Sequence, residues 1–265
     1  MDNNKVVVIT GASSGIGAAC VKEFLAAGYT VYGFGRKEYC MEGLKYSQLD
    51  ITDSDAVKRY IDGVVAETGK IDVLISNVGM GISGAVENAT VKDIKQITDV
   101  NFLGSVYVIQ AVLPHMRAAG CGRIVCTSSV GSFVPLPFQA FYSATKSALD
   151  TLVDALRSEV KQFGIKVICV HPGDVKTGFT GARHKQDMDD NDPYKVICEH
   201  CVGAMERDEQ SGMTPEYVAS KIYKVATKRN PKLRNVIGGK YKLFTFLLSV
   251  MPRRMREWAV RKMYF

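Results

Sequence analysis

The 265-residue chain contains no uninterrupted run of eighteen apolar residues, the length from which a bilayer-spanning helix is expected. Its opening, MDNNKVVVIT, has no basic segment ahead of a long apolar one, so a secretory signal is not expected. Internal repeats and low-complexity blocks are also missing. Seven cysteines occur, dispersed at Cys20, Cys40, Cys121, Cys126, Cys169, Cys198 and Cys201. An odd, scattered set predicts reduced thiols and a cytoplasmic location rather than a disulfide framework. CEHC (198–201), with His200 inside it, alone has metal-ligand spacing, but structural zinc takes four ligands. No metal is expected, and the segment reads as part of a mobile loop.

Acids are nearly absent from one region. Residues 228–265 hold eleven lysines and arginines against the single Glu257, which leaves the rest of the chain slightly acidic within a net charge of +7. A nucleic-acid binder carries its basic residues on a recognition surface, so basicity confined to a tail argues against nucleic acid as a partner.

What remains is an ordinary globular composition, 46% hydrophobic and 23% charged, in a chain long enough for one full α/β domain. Apolar, β-branched runs at 5–10, 30–35, 46–49, 71–76, 122–128, 165–170 and 234–238 predict strands. Helical periodicity lies between them, near 15–27, 53–68, 90–118, 140–163 and 214–228. Thr90 with Asp93 has the form of a capping box, and Thr214 precedes a proline at the first helical position. This alternation predicts a doubly wound, mostly parallel seven-stranded sheet of the Rossmann type, with the chemistry at the carboxyl ends of its strands. Domain limits follow: a catalytic domain over 1–240, with a polar, turn-rich flap at 178–213, and a basic amphipathic helical extension over 241–265.

TGASSGIG (10–17) joins the first strand to the first helix. Gly11 permits a tight turn, Gly15 a close approach of phosphate to backbone, and Gly17 close helix–strand packing; the helix N-terminus favours the negative charge. The second strand ends in FGRKE, where an NAD site usually offers an acid to the ribose. Arg36 occupies that region instead, and a guanidinium pairs with phosphate through two parallel hydrogen bonds, so NADP(H) is favoured over NAD(H). Asp50 closes the third strand as a candidate acceptor for the adenine amine, while Thr52 and Asp53 compete for the cap of the next helix.

Tyr142 and Lys146, in YSATK, stand one helical turn apart. Ser129 ends the fifth strand, and Asn101 lies inside a predicted helix, where a polar amide is mildly unfavourable. Over about residues 5–240 the chain resembles the short-chain dehydrogenase/reductase family, through TGASSGIG, SNVGMG (76–81), NFLG, SSVGS, YSATK and HPGDVKT (171–177) in the family's order. One departure is Ser76-Asn77-Val78-Gly79, where the family commonly shows N-N-A-G.

The resemblance implies hydride transfer between a nicotinamide and a carbonyl or carbinol carbon, with Asn101, Ser129, Tyr142 and Lys146 as the catalytic set. Lys146 is expected to lower the Tyr142 pKa toward the working pH and to hold the nicotinamide ribose. Ser129 then positions the substrate oxygen, and Asn101 holds a water that relays protons. Cofactor contacts are implied at Gly11, Ser13, Ser14, Gly15, Ile16, Gly17, Arg36, Asp50, Ile51, Asn77, Gly79, Pro172 and Gly173, with Val175 and Thr177 at the carboxamide. His171 reads as structural.

Phe133, Val134, Leu136 and Phe138 predict apolar walls, and hence a bulky apolar ketone or alcohol, with a hydroxysteroid in view. A 3-oxoacyl thioester is the alternative substrate, and a non-catalytic NADP(H) sensor the alternative class. The family also implies a homo-oligomer. In the tail, a last helix from Pro252 is expected to set Met255, Trp258 and Ala259 on one face, with Arg254, Arg261 and Lys262 elsewhere. It reads as docked on protein in preference to peripheral contact with an anionic membrane.

Overall fold

A computed structural model describes residues 5–264, apart from the side chains of 253, 259, 260, 263 and 264. The run VVVIT forms β1 (Val6–Thr10), buried at all five positions because both sheet faces are covered. Parallel pairing builds a seven-stranded sheet from β1, β2 (Thr30–Gly35), β3 (Leu44–Gln48), β4 (Val73–Ser76), β6 (Gly122–Thr127), β7 (Ile165–Pro172) and β9 (Arg234–Ile237). Their order is β3-β2-β1-β4-β6-β7-β9, the doubly wound arrangement expected. Two short strands, β5 (Ile82–Ser83) and β8 (His184–Lys185), pair separately beside the cleft.

Helices α1 (Gly15–Ala26) and α7 (Pro215–Thr227) cover one face, around Phe24, Ile9 and Ile222. On the other lie α2 (Ser54–Thr68), α4 (Gly104–Ala118) and α5 (Ala140–Val160), around Leu74, Ile124 and Leu149. Burying each such side chain contributes about 1.5–3 kcal/mol. The order in which strands are added reverses between β1 and β4, which run parallel, so the loops that follow them part and open a crevice at the strand ends.

Several expectations are corrected. The helix expected over 90–118 is continuous but not uniform: α3 (Val91–Thr98) passes into α4 through a π turn at Asp99–Leu103. Thr90 caps α3, accepting from the Asp93 N–H. By length and hydropathy Val91–Ala118 is long enough to cross a bilayer, yet it packs against α2 and α5. The polar stretch 178–213 is not all loop, because α6 (Lys195–Gln210) occupies its second half. CEHC belongs to α6, with Cys198 and Cys201 buried, since their spacing of three turns both thiols to the inner face. The expected helical extension forms two helices, α8 (Gly239–Val250) and α9 (Arg253–Tyr264), broken at Met251 and Pro252. In α9, Arg254 and Lys262 stand one turn before and after Trp258 rather than on another face; the Ala259 side chain lies outside the described residues.

Candidate active site

The glycine turn is shaped by space as well as by φ. Gly11 (φ +66°) and Gly15 (φ +51°) adopt the left-handed region, and a Cβ on Gly17 would come within 2.0 Å of the Gly11 carbonyl oxygen. Gly17 therefore serves packing and, alone among the expected cofactor residues, does not line the cleft. Ser14, at the N-cap of α1, makes no side-chain cap, so the helix's first N–H groups keep their capacity for an anion. The Thr10 hydroxyl ties the turn to the next loop, accepting from the N–H of Asn77 at 2.8 Å and of Val78 at 3.1 Å. Sequence reasoning passed over Thr10, although its place at the end of β1 was legible.

The crevice is a cavity of about 1060 Å³. Ser13, Ser14, Gly15, Ile16, Arg36, Asp50, Ile51, Asn77 and Gly79 line one end, and Pro172, Gly173, Val175 and Thr177 lie farther along. Arg36 is exposed at the rim; Gly35 beside it has no room for a side chain, since a Cβ would lie 2.9 Å from the Tyr46 hydroxyl. Asp50 accepts from both the N–H (2.9 Å) and the hydroxyl (2.8 Å) of Thr52, while Asp53 caps α2. Thr52 is thus no cap. A long cleft with a phosphate-ready helix end at one side, glycines where a Cβ would collide, and a cation at the rim fits a dinucleotide.

The four expected catalytic residues converge midway. The first turns of α5 carry half-buried Tyr142 and buried Lys146 inward, and Lys146 Nζ stands 5.9 Å from the centre of the Tyr142 ring. Lys146 donates to the Thr127 carbonyl at 2.8 Å. Burial pulls its pKa down to about 8, opposed in part by the nearby Asp150 carboxylate. Burial likewise pushes the Tyr142 hydroxyl above the ordinary phenol value, while Ser129 beside it works the other way. The expected net lowering of the Tyr142 pKa is thus overturned by desolvation, with the Lys146 ammonium group facing a carbonyl.

Asn101 is fully buried in the π turn, a feature common at functional sites. Its amide oxygen accepts from Met80 N at 2.7 Å, and its nitrogen donates to Met80 O (2.9 Å) and Thr145 Oγ1 (3.2 Å). Most of its hydrogen-bonding capacity thus goes to the 77–81 loop. A Cβ on Gly79 would lie 3.3 Å from Lys146 Nζ and 3.5 Å from Asn101 Oδ1, so the glycine lets the 77–81 loop pack close to both groups.

Behind Ser129, Ser132 Oγ bonds the Ser129 carbonyl oxygen (2.8 Å) and Asp150 (2.7 Å). Asp150 in turn meets Cys169 Sγ at 3.2 Å and His171 Nε2 at 3.0 Å. His171 lies outside the cleft lining, stacked on Phe133 with ring centres 4.5 Å apart. Asp150 escaped the sequence reading although its spacing of four from Lys146 marked the same helix face. Its side chain, with those of Cys169 and His171, is close enough to enclose a metal ion, but these atoms already bond one another. Cys198 and Cys201 belong to no group of three such ligands among the described residues.

Of the expected substrate walls, Val134 and Leu136 line the cavity. Phe133 and Phe138 do not: Phe133 turns to His171, and Phe138 sits in the left-handed region (φ +58°). Phe179, Met205 and Phe244 take their place, with Asp174, Asp208, Glu209 and Tyr241 as polar neighbours. No local signal marks these residues, because folding alone brings the flap and α8 over the cleft.

Sheet, glycine turn and converging side chains define a dinucleotide-dependent dehydrogenase of the short-chain type. Residues 5–188 match the family described as short chain dehydrogenase, and the chain belongs to it. Its members oxidise CH–OH groups or reduce carbonyls. The chain is 36% identical over 263 residues to a 3-ketodihydrosphingosine reductase of Bacteroides thetaiotaomicron, covering 98% of each. It is 30% identical over 271 residues to an NADPH-dependent 3-dehydrocapnine reductase of Ornithobacterium rhinotracheale, covering 96% of this chain and 95% of that protein. Among solved structures, a short-chain dehydrogenase from Streptomyces avermitilis superposes with a TM-score of 0.83 at 31% identity, covering 98% and 97%.

Proposed function

We propose that this protein reduces the keto group of a long-chain amino ketone with NADPH. The observation that carries the reading is the cleft itself: a proton donor, Tyr142, beside Ser129 between a dinucleotide-shaped end and apolar walls. The names of the two relatives support the substrate class, since both denote long-chain ketones with an adjacent amine. Asp208 suits a cationic substrate, Asp174 being bonded by Tyr241 and Glu209 paired with Arg183, while Phe179, Met205 and Phe244 suit its alkyl chain.

NADPH is preferred because Arg36, and no acid, stands at the end of β2, and the second relative is named as NADPH-dependent. When bound, the nicotinamide supplies the hydride. Ser129 holds the substrate oxygen, and Tyr142 delivers a proton to it. Because burial keeps Tyr142 protonated at neutral pH, the site is suited to reduction. Lys146 holds the ribose, and Asn101, whose Oδ1 lies beside Gly79 as Lys146 Nζ does, holds a water that relays its protons.

The amino ketone is preferred here to the expected hydroxysteroid on the names of the two relatives and on Asp208 in the lining. A 3-oxoacyl thioester keeps some support: α8 brings the basic tail, through Lys240, to the cleft mouth, so charge no longer argues against it. Cysteines dispersed without a disulfide among the described residues support a cytoplasmic location, and a homo-oligomer is the proposed assembly.

The test is NADPH consumption with 3-ketodihydrosphingosine, a steroid ketone and a 3-oxoacyl thioester side by side. The amino ketone should give the highest kcat/KM; turnover of the steroid or the thioester alone would remove this reading.

A further inference from the structure

The two terminal helices carry an apolar face that the fold leaves open. One side of α8 is a wall of the cleft, where Tyr241 and Leu248 are buried and Phe244 enters the lining. Positions 243, 246, 247 and 250 recur at helical spacing on the other side. There Leu243, Phe246, Leu247 and Val250 are 61, 62, 48 and 66% exposed, with exposed Lys242 at their border. In α9, Trp258 is 62% exposed between Arg254 and Lys262.

Of eleven large apolar side chains exposed among the described residues, six fall within 243–258, a concentration that marks a binding surface rather than scatter. The two helices, from 239 to 264, hold seven cations and one acid. α9 lies against α6, which carries Met205, Asp208 and Glu209 to the cleft, so this surface borders the cleft mouth.

We propose that α8 and α9 form a docking surface for an anionic lipid bilayer, on which Phe246, Leu247, Val250 and Trp258 enter the headgroup region while the lysines and arginines meet lipid phosphates. Charge complementarity selects this occupant. A second copy would bring one strongly cationic face against another, and an acidic carrier protein would leave the apolar side chains without partners. Twelve residues of α8 reach about 18 Å, too short to span a bilayer, but an amphipathic helix lying in the interface needs no more. The surface deepens the long-chain reading, since a substrate tail held in the bilayer reaches the cleft past Phe244. Vesicle binding itself needs no turnover, so the two readings can fail separately.

The full chain has one tryptophan, Trp258, which makes its emission a site-specific reporter. Vesicles of phosphatidylcholine mixed with phosphatidylglycerol should shift that emission to the blue and pellet the protein, reversibly with salt. Vesicles of phosphatidylcholine alone should do neither. The exposed pair Phe246→Asp and Leu247→Asp should weaken pelleting at least tenfold without changing the melting temperature, solution mass or turnover of a detergent-dispersed ketone. Lys242→Glu should weaken it about fivefold or more. The proposal is overturned by an unchanged Trp258 spectrum with anionic vesicles or by wild-type pelleting of the double variant. It is equally overturned by a fall in solution mass of that variant, which would make the face a contact between subunits.

Discussion

Lys146 donates to the Thr127 carbonyl at 2.8 Å while its ammonium group stands 5.9 Å from the centre of the Tyr142 ring. The two side chains rise from one face of α5 but reach different partners, Thr127 for the lysine and Ser129 for the tyrosine. Desolvation dominates both, lowering the amine to about 8 and raising the phenol. The consequences of this division can be measured.

Replacing Tyr142 with Phe removes the proton donor and leaves the ring that packs near Phe179. Turnover should fall by about 10²–10⁴-fold, with the affinity for NADPH within a few-fold of wild type by fluorescence titration. Undiminished turnover would take the proton-donor role away from Tyr142.

The direction of catalysis should depend on pH. Ketone reduction uses protonated Tyr142, whose pKa is raised, so its rate should stay level from neutral to mildly alkaline pH as far as this group is concerned. Oxidation of the alcohol uses the phenolate and should climb throughout the same range. Initial rates in both directions across one buffer series would show whether the two profiles diverge; parallel profiles would contradict the assignment.

Arg36→Ala should weaken NADPH by about ten- to a hundredfold, the worth of a charged hydrogen-bond pair, and leave NADH nearly unchanged. Calorimetric titration of both cofactors against both proteins decides it. Equal losses would take Arg36 away from the 2′-phosphate.

Asp150 contributes stability with a defined pH window. Burial opposes its charge, but hydrogen bonds from His171, Ser132 and Ser128 prevail and hold its pKa at about 2. Being depressed on folding, this pKa gives stability that is full above about pH 4 and is lost as pH falls toward 2. Asp150→Asn should cost about 2 kcal/mol at neutral pH in urea denaturation, and the gap from wild type should close in acid. A constant gap would assign the loss to packing.

The strands were legible because buried parallel strands need continuous apolar runs, as VVVIT shows, and the glycine turn because the collision at Gly17 excludes any side chain there. The boundary near 46 moved because only pairing with β2 sets where β3 begins, at Leu44. Tyr142, Lys146 and Ser129 were found from local spacing and motif order. Asn101 was found too, but not its bonds to Met80, which join groups 21 positions apart. The amphipathic pattern of α8 is in the chain, yet which side faces the cleft is not, because both sides are apolar. Sequence alone determined the sheet and the choice of candidate reacting groups, since both follow from local patterns. Tertiary structure alone decided which acids and apolar walls surround them and how far burial moves their protons, because desolvation depends on everything packed around a group.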